Sequence, residues 1–198
     1  MDKYKVNIPE GKSGNWEIRH FTVSEEDEKF GALRGIFNGG RYTPAGNYTG
    51  LYYRGSVIMS DTPDEIRDHL GFIRQAHGNV LINGLGIGMV LQAVLNKSDV
   101  DHTTVIEISP DVISLVAPHY QNKFGDKFTV IQADALEYKP EKGVRYNAVW
   151  HDIWPNICTD NLEEMAKLHR KYGRRCDWQG SWSKELLKYY QRRERSYW

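Results

Sequence analysis

The chain has 198 residues, of which 40% are apolar and 18 are glycine, a composition that suits one folded domain with tight turns and a modest appendage. Lys and Arg number 26, as do Asp and Glu, so no whole-protein field favours nucleic acid or an anionic membrane. Cys158 and Cys176 stand far apart and form neither a redox nor a metal spacing, which points to free thiols in a reducing compartment. Met1–Lys5 leads into no apolar run of the signal-peptide kind, and nowhere do 18 apolar residues follow one another, so a cytoplasmic protein without a membrane span is expected.

Residues 1–61 read as an irregular N-terminal cover ending in a β-hairpin, and residues 62–198 as a Rossmann-like domain. One or two short strands are expected within 1–47, with an acidic knot at Glu25–Glu28 and turns at Gly39–Gly40 and Pro44–Asn47. Leu51–Tyr53 and Val57–Met59 flank Arg54–Gly55–Ser56, a hairpin pattern because glycine adopts the positive φ a tight reversal needs. Thr62–Pro63–Asp64–Glu65 starts a helix, with Thr62 as cap, Pro63 in the first turn and Glu65 at the capping-box position. Ile66, Leu70 and Ile73 share one stripe of that helix, which is expected to end near His77–Gly78.

A parallel strand over 79–83 follows, then a glycine turn, then a helix with Val90, Leu91, Val94 and Leu95 facing inward. The strand over 103–107 leads to Ser109–Pro110–Asp111, which opens a helix that Pro118 is expected to end or kink. Strands over 128–131 and 146–150 come next, and Asp160 with Glu163 caps a further helix. A fifth strand around Arg175–Trp178 and a last helix from about Ser183 complete the reading. This alternation predicts an α/β fold: a Rossmann-like, mainly parallel sheet with helices on both faces, shortened at the C-terminus.

Three strand ends carry the chemistry. Val80–Asn83 runs into Gly84–x–Gly86–x–Gly88, whose backbone allows close ligand approach, while Met89 stands where a dinucleotide fingerprint has its third glycine. Glu107, 23 residues after Gly84, ends the second strand, where an anionic acceptor can take both hydroxyl protons of a ribose. Asp134 follows the third strand and is placed to accept from an adenine amino group, with Ile108 and Ala135 on the two faces of the ring. A ligand-free turn, a polar strand end and a turn cap are the bland alternatives for the three.

Over roughly residues 75–190 this pattern resembles the class I S-adenosylmethionine-dependent methyltransferases. The resemblance implies S-adenosyl-L-methionine as cofactor, with Gly84, Gly86 and Gly88 near its methionine part and sugar, Glu107 on the ribose and Asp134 on adenine. Asn83, Ile108 and Ala135 complete the expected cofactor set. In layout the chain is similar to spermidine synthases and their relatives, which also place a hairpin and a helix over the active site; Tyr52, Tyr53, Asp61 and Asp64 would lie near its mouth. Two departures stand out: Leu85 and Ile87 occupy a glycine run where aminopropyltransferases carry an Asp, and those enzymes are longer.

After the fourth strand, Trp150–His151–Asp152–Ile153–Trp154–Pro155–Asn156 places an imidazole and a carboxylate where open α/β sheets bind ligands. Asp152 is expected to orient or deprotonate a substrate nucleophile, and His151 to serve either as base or as a backbone-bound ring. Trp154, Tyr52 and Asp61 are expected to touch substrate, and Trp150 either to face a sulfonium or to pack in the core. The resulting expectation is methyl transfer to a polar small molecule. Aminopropyl transfer is the runner-up, with carboxylates nominated only at Asp152, Asp177 and Asp61. A nucleic-acid methyltransferase using the basic runs Lys167–Arg175 and Arg192–Arg195 is less favoured, and a non-catalytic binding protein stays open. The aromatics Trp178, Trp182, Tyr189, Tyr190, Tyr197 and Trp198 either cover a sheet edge or form a homodimer contact. The histidines show no metal spacing and no Gly-x-Ser-x-Gly elbow is present.

Overall fold

The computed structural model describes residues 1–38 and 43–195, the side chains of 32–38 excepted. The Gly39–Gly40 turn and the aromatics Tyr197 and Trp198 lie outside the described residues. Strands β1 (Gly11–Ser13), β2 (Trp16–Val23), β3 (Gly46–Tyr53) and β4 (Ser56–Ser60) form an antiparallel sheet in that order. The expected hairpin is β3–β4. Tyr53 pairs with Ser56, and the two loop residues Arg54 and Gly55 take φ of 51° and 85°, the turn geometry that matches strand twist.

The segment before this hairpin is more regular than expected. β2 is eight residues long and pairs with the whole of β3, from Trp16 against Tyr53 to Val23 against Gly46. The acidic knot is the first turn of helix α1 (Glu25–Asn38). Ser24 and Asp27 cap that helix: the Asp27 N–H donates to Ser24 Oγ at 3.1 Å and the Ser24 hydroxyl donates to Asp27 Oδ2 at 2.7 Å. Carboxylates suit that end because the first turn leaves its amides pointing outward.

Strands β5 (Gly78–Asn83), β6 (Val100–Glu107), β7 (Phe128–Gln132), β8 (Tyr146–His151) and β9 (Cys176–Ser181) form a parallel sheet in the order β7-β6-β5-β8-β9. Helices α2 (Pro63–Gln75), α3 (Met89–Leu95) and α4 (Pro110–Phe124) cover one face, and α5 (Asn161–Tyr172) and α6 (Lys184–Arg195) the other. Strand side chains alternate between two cores: Val80, Ile82, Val105, Ala148 and Trp150 join the first, Leu81, Ile106 and Val149 the second. The chain is therefore an α/β protein with a Rossmann-like sheet. Among the described residues no strand follows β9, and no helix is long and apolar enough to cross a membrane.

Two helix details depart from expectation. Thr62 is the N-cap of α2 but its side chain makes no cap bond; Glu65 instead accepts the Ser60 N–H at 2.7 Å and the Ser60 hydroxyl at 3.0 Å, tying the helix to the end of β4. Helix α4 runs unbroken through Pro118. Pro118 and Ser114, whose carbonyl loses its donor, are both exposed, so water meets that carbonyl and the helix continues.

Candidate active site

The carboxyl edge of the parallel sheet is laced strand to strand. Gly84 N–H donates to the Ile106 carbonyl (2.8 Å), Ala133 to Glu107 (3.0 Å), Asp152 to Asn83 (2.8 Å) and Trp182 to His151 (2.9 Å). Each residue just past a strand thus extends the ladder onto its neighbour, and the crevice floor is fixed. Gly84, Gly86 and Gly88 take φ of 100°, 53° and 73°. A Cβ would overlap the Asp152 carbonyl oxygen at Gly84, the Met59 sulfur at Gly86 and the Tyr120 ring at Gly88. Gly84 and Gly86 face the space above; Gly88 is packed away from it.

Between this edge and the antiparallel sheet lies a cavity of about 750 Å³, a volume usual for small-molecule sites. Glu107 stands at one end. Its Oε2 accepts the Leu85 N–H at 2.9 Å and its Oε1 the Ser109 N–H at 2.8 Å, which leaves each oxygen a second acceptor site. Asp134 Oδ1 accepts the Leu136 N–H at 2.7 Å, so the residue caps its turn and keeps Oδ2 for another donor. Ile108, 64% exposed, and Ala135 complete an apolar slot beside it.

The other end is acidic. Asp152, whose side chain keeps 21% exposure, places Oδ2 3.8 Å from Nε2 of the buried His69. Burial, followed by the charges of Glu65 and Asp68, pushes the Asp152 carboxyl up to about 7. Trp182 Nε1 donates to Asp68 Oδ2 at 3.1 Å and fixes that carboxylate just behind the wall. Among the described residues Glu65, Glu107, Asp134 and Asp152 line the cavity, and no Lys or Arg does.

No family model matches the sequence. The chain is 32% identical over 114 residues to polyamine aminopropyltransferase 1 of Streptomyces coelicolor, a match that covers 52% of this chain. It spans only 21% of that relative's length. Among solved structures, spermidine synthase from Thermotoga maritima aligns with a TM-score of 0.47 at 16% identity, over 81% of this chain and 53% of that one. The N-methyltransferase NodS from Bradyrhizobium japonicum aligns with a TM-score of 0.44 at 14% identity, over 57% of this chain and 64% of that one. With its parallel sheet and the glycine turn after β5, the core is Rossmann-like.

Several sequence expectations need correction against this geometry. His151 is wholly buried on the opposite face of the sheet, its Nδ1 2.7 Å from Asn83 Nδ2 and its Nε2 3.3 Å from Gln179 Oε1. Burial pushes its pKa down to about 3, so the ring is neutral and sits away from the crevice, and Asn83 is turned to it rather than to the cavity. The reason is period two: Trp150 faces the cavity, so its neighbour faces α5. Asp61, 1% exposed, accepts the Val6 and Thr49 N–H groups at 3.0 and 2.7 Å and stitches the N-terminal segment to the hairpin. Tyr52 lies under the Arg19 guanidinium at 4.8 Å and is absent from the cavity wall. Asp177 pairs with Arg145 at 3.2 Å, at the far edge of the sheet.

Trp154 does line the cavity, held by its Nε1 bond to Glu164 at 2.8 Å. Trp150 packs in the core, stacking on Phe72 at 5.3 Å, and also reaches the cavity wall. Glu65, His69, Met59 and Trp182 line it too and were not anticipated. For α2 a signal was present: Glu65, Asp68 and His69 follow i, i+3, i+4 spacing, which puts all three on one helix face.

Proposed function

We propose that this chain is a transferase that uses an S-adenosyl sulfonium and an amine acceptor, and that the group moved is aminopropyl. The charge of the cavity carries this reading: four carboxylates line it and, among the described residues, no Lys or Arg does. A sulfonium and an ammonium are both cations, and carboxylates favour bringing them together where water is scarce. The α-carboxylate of S-adenosylmethionine meets the same field as repulsion. Two of the turn amides are already taken, the Leu85 N–H by Glu107 and the Ile87 N–H by the Met59 sulfur at 3.3 Å. A decarboxylated donor avoids this conflict. The name of the Streptomyces relative, a polyamine aminopropyltransferase, supports the same group.

The remaining contacts fit a nucleoside. Glu107 would hold the ribose hydroxyls through its free acceptor sites, Asp134 Oδ2 the adenine amino group, and Ile108 with Ala135 the ring faces. When bound, the sulfonium supplies an electrophilic carbon. Asp152 takes the proton of the acceptor ammonium, and a carboxyl near 7 is suited to that exchange at neutral pH. Glu65 and Asp68 draw the cationic acceptor toward it.

Methyl transfer is the second reading, favoured by Leu85 and Ile87 standing in the glycine run where aminopropyltransferases carry an Asp. Calorimetric titration with S-adenosylmethionine and its decarboxylated form, with mass analysis of a linear diamine incubated with each, separates the two. Tighter binding of the decarboxylated donor and an aminopropylated diamine are expected. Preference for the carboxylated donor with a methylated product would replace the transferred group; binding of neither would remove the reading.

A further inference from the structure

The amino edge of the parallel sheet, opposite the acidic cavity, carries a second concavity of about 550 Å³. The loop entering β8 brings Arg145, the last turn of α5 brings Arg170, and the connection to β9 brings Arg174 and Arg175. Arg145, Arg170 and Arg174 are exposed and Arg175 is half-buried. Protein partners use few of their N–H groups. Arg145 donates to the Arg174 carbonyl at 2.8 Å and to Asp177 at 3.2 Å, and Arg175 donates to the Glu141 carbonyl at 3.1 Å. Among the described residues the Arg170 and Arg174 guanidiniums make no hydrogen bond or ion pair. Lys171 shares the wall, but its ammonium is committed to the carbonyls of Ala135, Leu136 and Tyr138.

A chain of zero net charge therefore places carboxylates around one edge of its sheet and four guanidiniums around the other, with Asp177 as their one paired carboxylate among the described residues. The negative C-terminal end of α5 explains a cation on its last turn. It does not explain Arg145, Arg174 and Arg175, which arrive from outside the helix.

We infer that this concavity is a phosphate-binding site separate from the cavity at the carboxyl edge. Guanidinium forks match phosphate oxygens two by two, and four of them in one recess suit a ligand with at least two phosphates. That chemistry is shared by a nucleic-acid backbone and by a free phosphorylated small molecule.

The test is titration of the full chain with tripolyphosphate and with a short single-stranded RNA at about 50 mM and about 200 mM salt. Wild type is expected to bind tripolyphosphate, more weakly at the higher salt. R170A/R174A is expected to lose about tenfold in affinity while melting within about 2 °C of wild type. Should that variant not fold, R174E gives the same comparison. RNA binding that tripolyphosphate displaces supports the site with nucleic acid as the source, and tripolyphosphate binding without RNA binding supports it with a free phosphorylated compound. No binding of either probe by wild type, or equal affinity in a folded variant, overturns the assignment.

Discussion

Asp152→Asn probes the electrostatics of the acidic end most directly. Burial and the Glu65 and Asp68 carboxylates push Asp152 from 3.8 to about 7, a shift worth about 4 kcal/mol. Between those values the folded chain holds a proton that the unfolded chain has released. Stability therefore falls as pH rises from about 4 to about 7, and the loss is complete above that. At pH 5 roughly a third of this is already lost, and at pH 8 all of it. Asn keeps the shape without the charge, so the variant's stability advantage should widen by roughly 2–3 kcal/mol between pH 5 and pH 8. For a chain of this size that is a melting-temperature gap growing by roughly 5–10 °C, read by scanning calorimetry at the two pH values. The same substitution is expected to lower turnover by about 10²-fold or more, because the proposed proton acceptor is gone. A cationic donor favours the carboxylate, so its binding near pH 7 should release protons, measured by titration in buffers of different ionisation heat. An advantage that stays the same at both pH values would refute the account of Asp152.

Other substitutions follow from the same geometry. Gly84→Ala combines a φ of 100° with overlap on a backbone oxygen that cannot move, and is expected to cost roughly 3–5 kcal/mol in urea unfolding. Gly55→Ala, with φ of 85° but open space, should cost only about 1 kcal/mol. Asp134→Asn keeps an acceptor for the Leu136 N–H, so its stability should stay within about 0.5 kcal/mol of wild type while donor affinity drops about tenfold. His151→Gln should lower the unfolding midpoint yet leave the pH profile of turnover unchanged, because the neutral ring faces α5 rather than substrate.

The parallel core was legible because its signals are local. Apolar runs, a glycine turn and acidic strand ends lie within a few residues of each other, and β5, β6, β7 and β8 match those runs closely. The antiparallel cover was not. Trp16 pairs with Tyr53 across 37 positions, and nothing within either segment announces the other. Helix α1 carried a local signal in Ser24 and Asp27, but an acidic run reads equally well as a solvated loop until the cap is seen. Within the site, Glu107 and Asp134 were legible as strand ends, whereas Glu65 and His69 belong to a helix that tertiary packing lays over the crevice. Alternation separated His151 from Asp152, but only the packing of β8 against α2 and α5 decides which face opens to the cavity.

The four cavity carboxylates are not equivalent, and their hydrogen bonds say how the work divides. Glu107 accepts two backbone amides, Asp134 accepts one, and Glu65 accepts an amide and a hydroxyl from Ser60. Such bonds fix the side chains, so these three hold their remaining oxygens in set positions without reorganising. Asp152 accepts no backbone amide among the described residues; its near polar neighbour is His69 at 3.8 Å. Asp152 is the carboxyl that burial, followed by the charges of Glu65 and Asp68, pushes up to about 7. On the proposed reading, three carboxylates position cations while Asp152 takes the proton that an acceptor ammonium must lose before its amine can attack the sulfonium carbon.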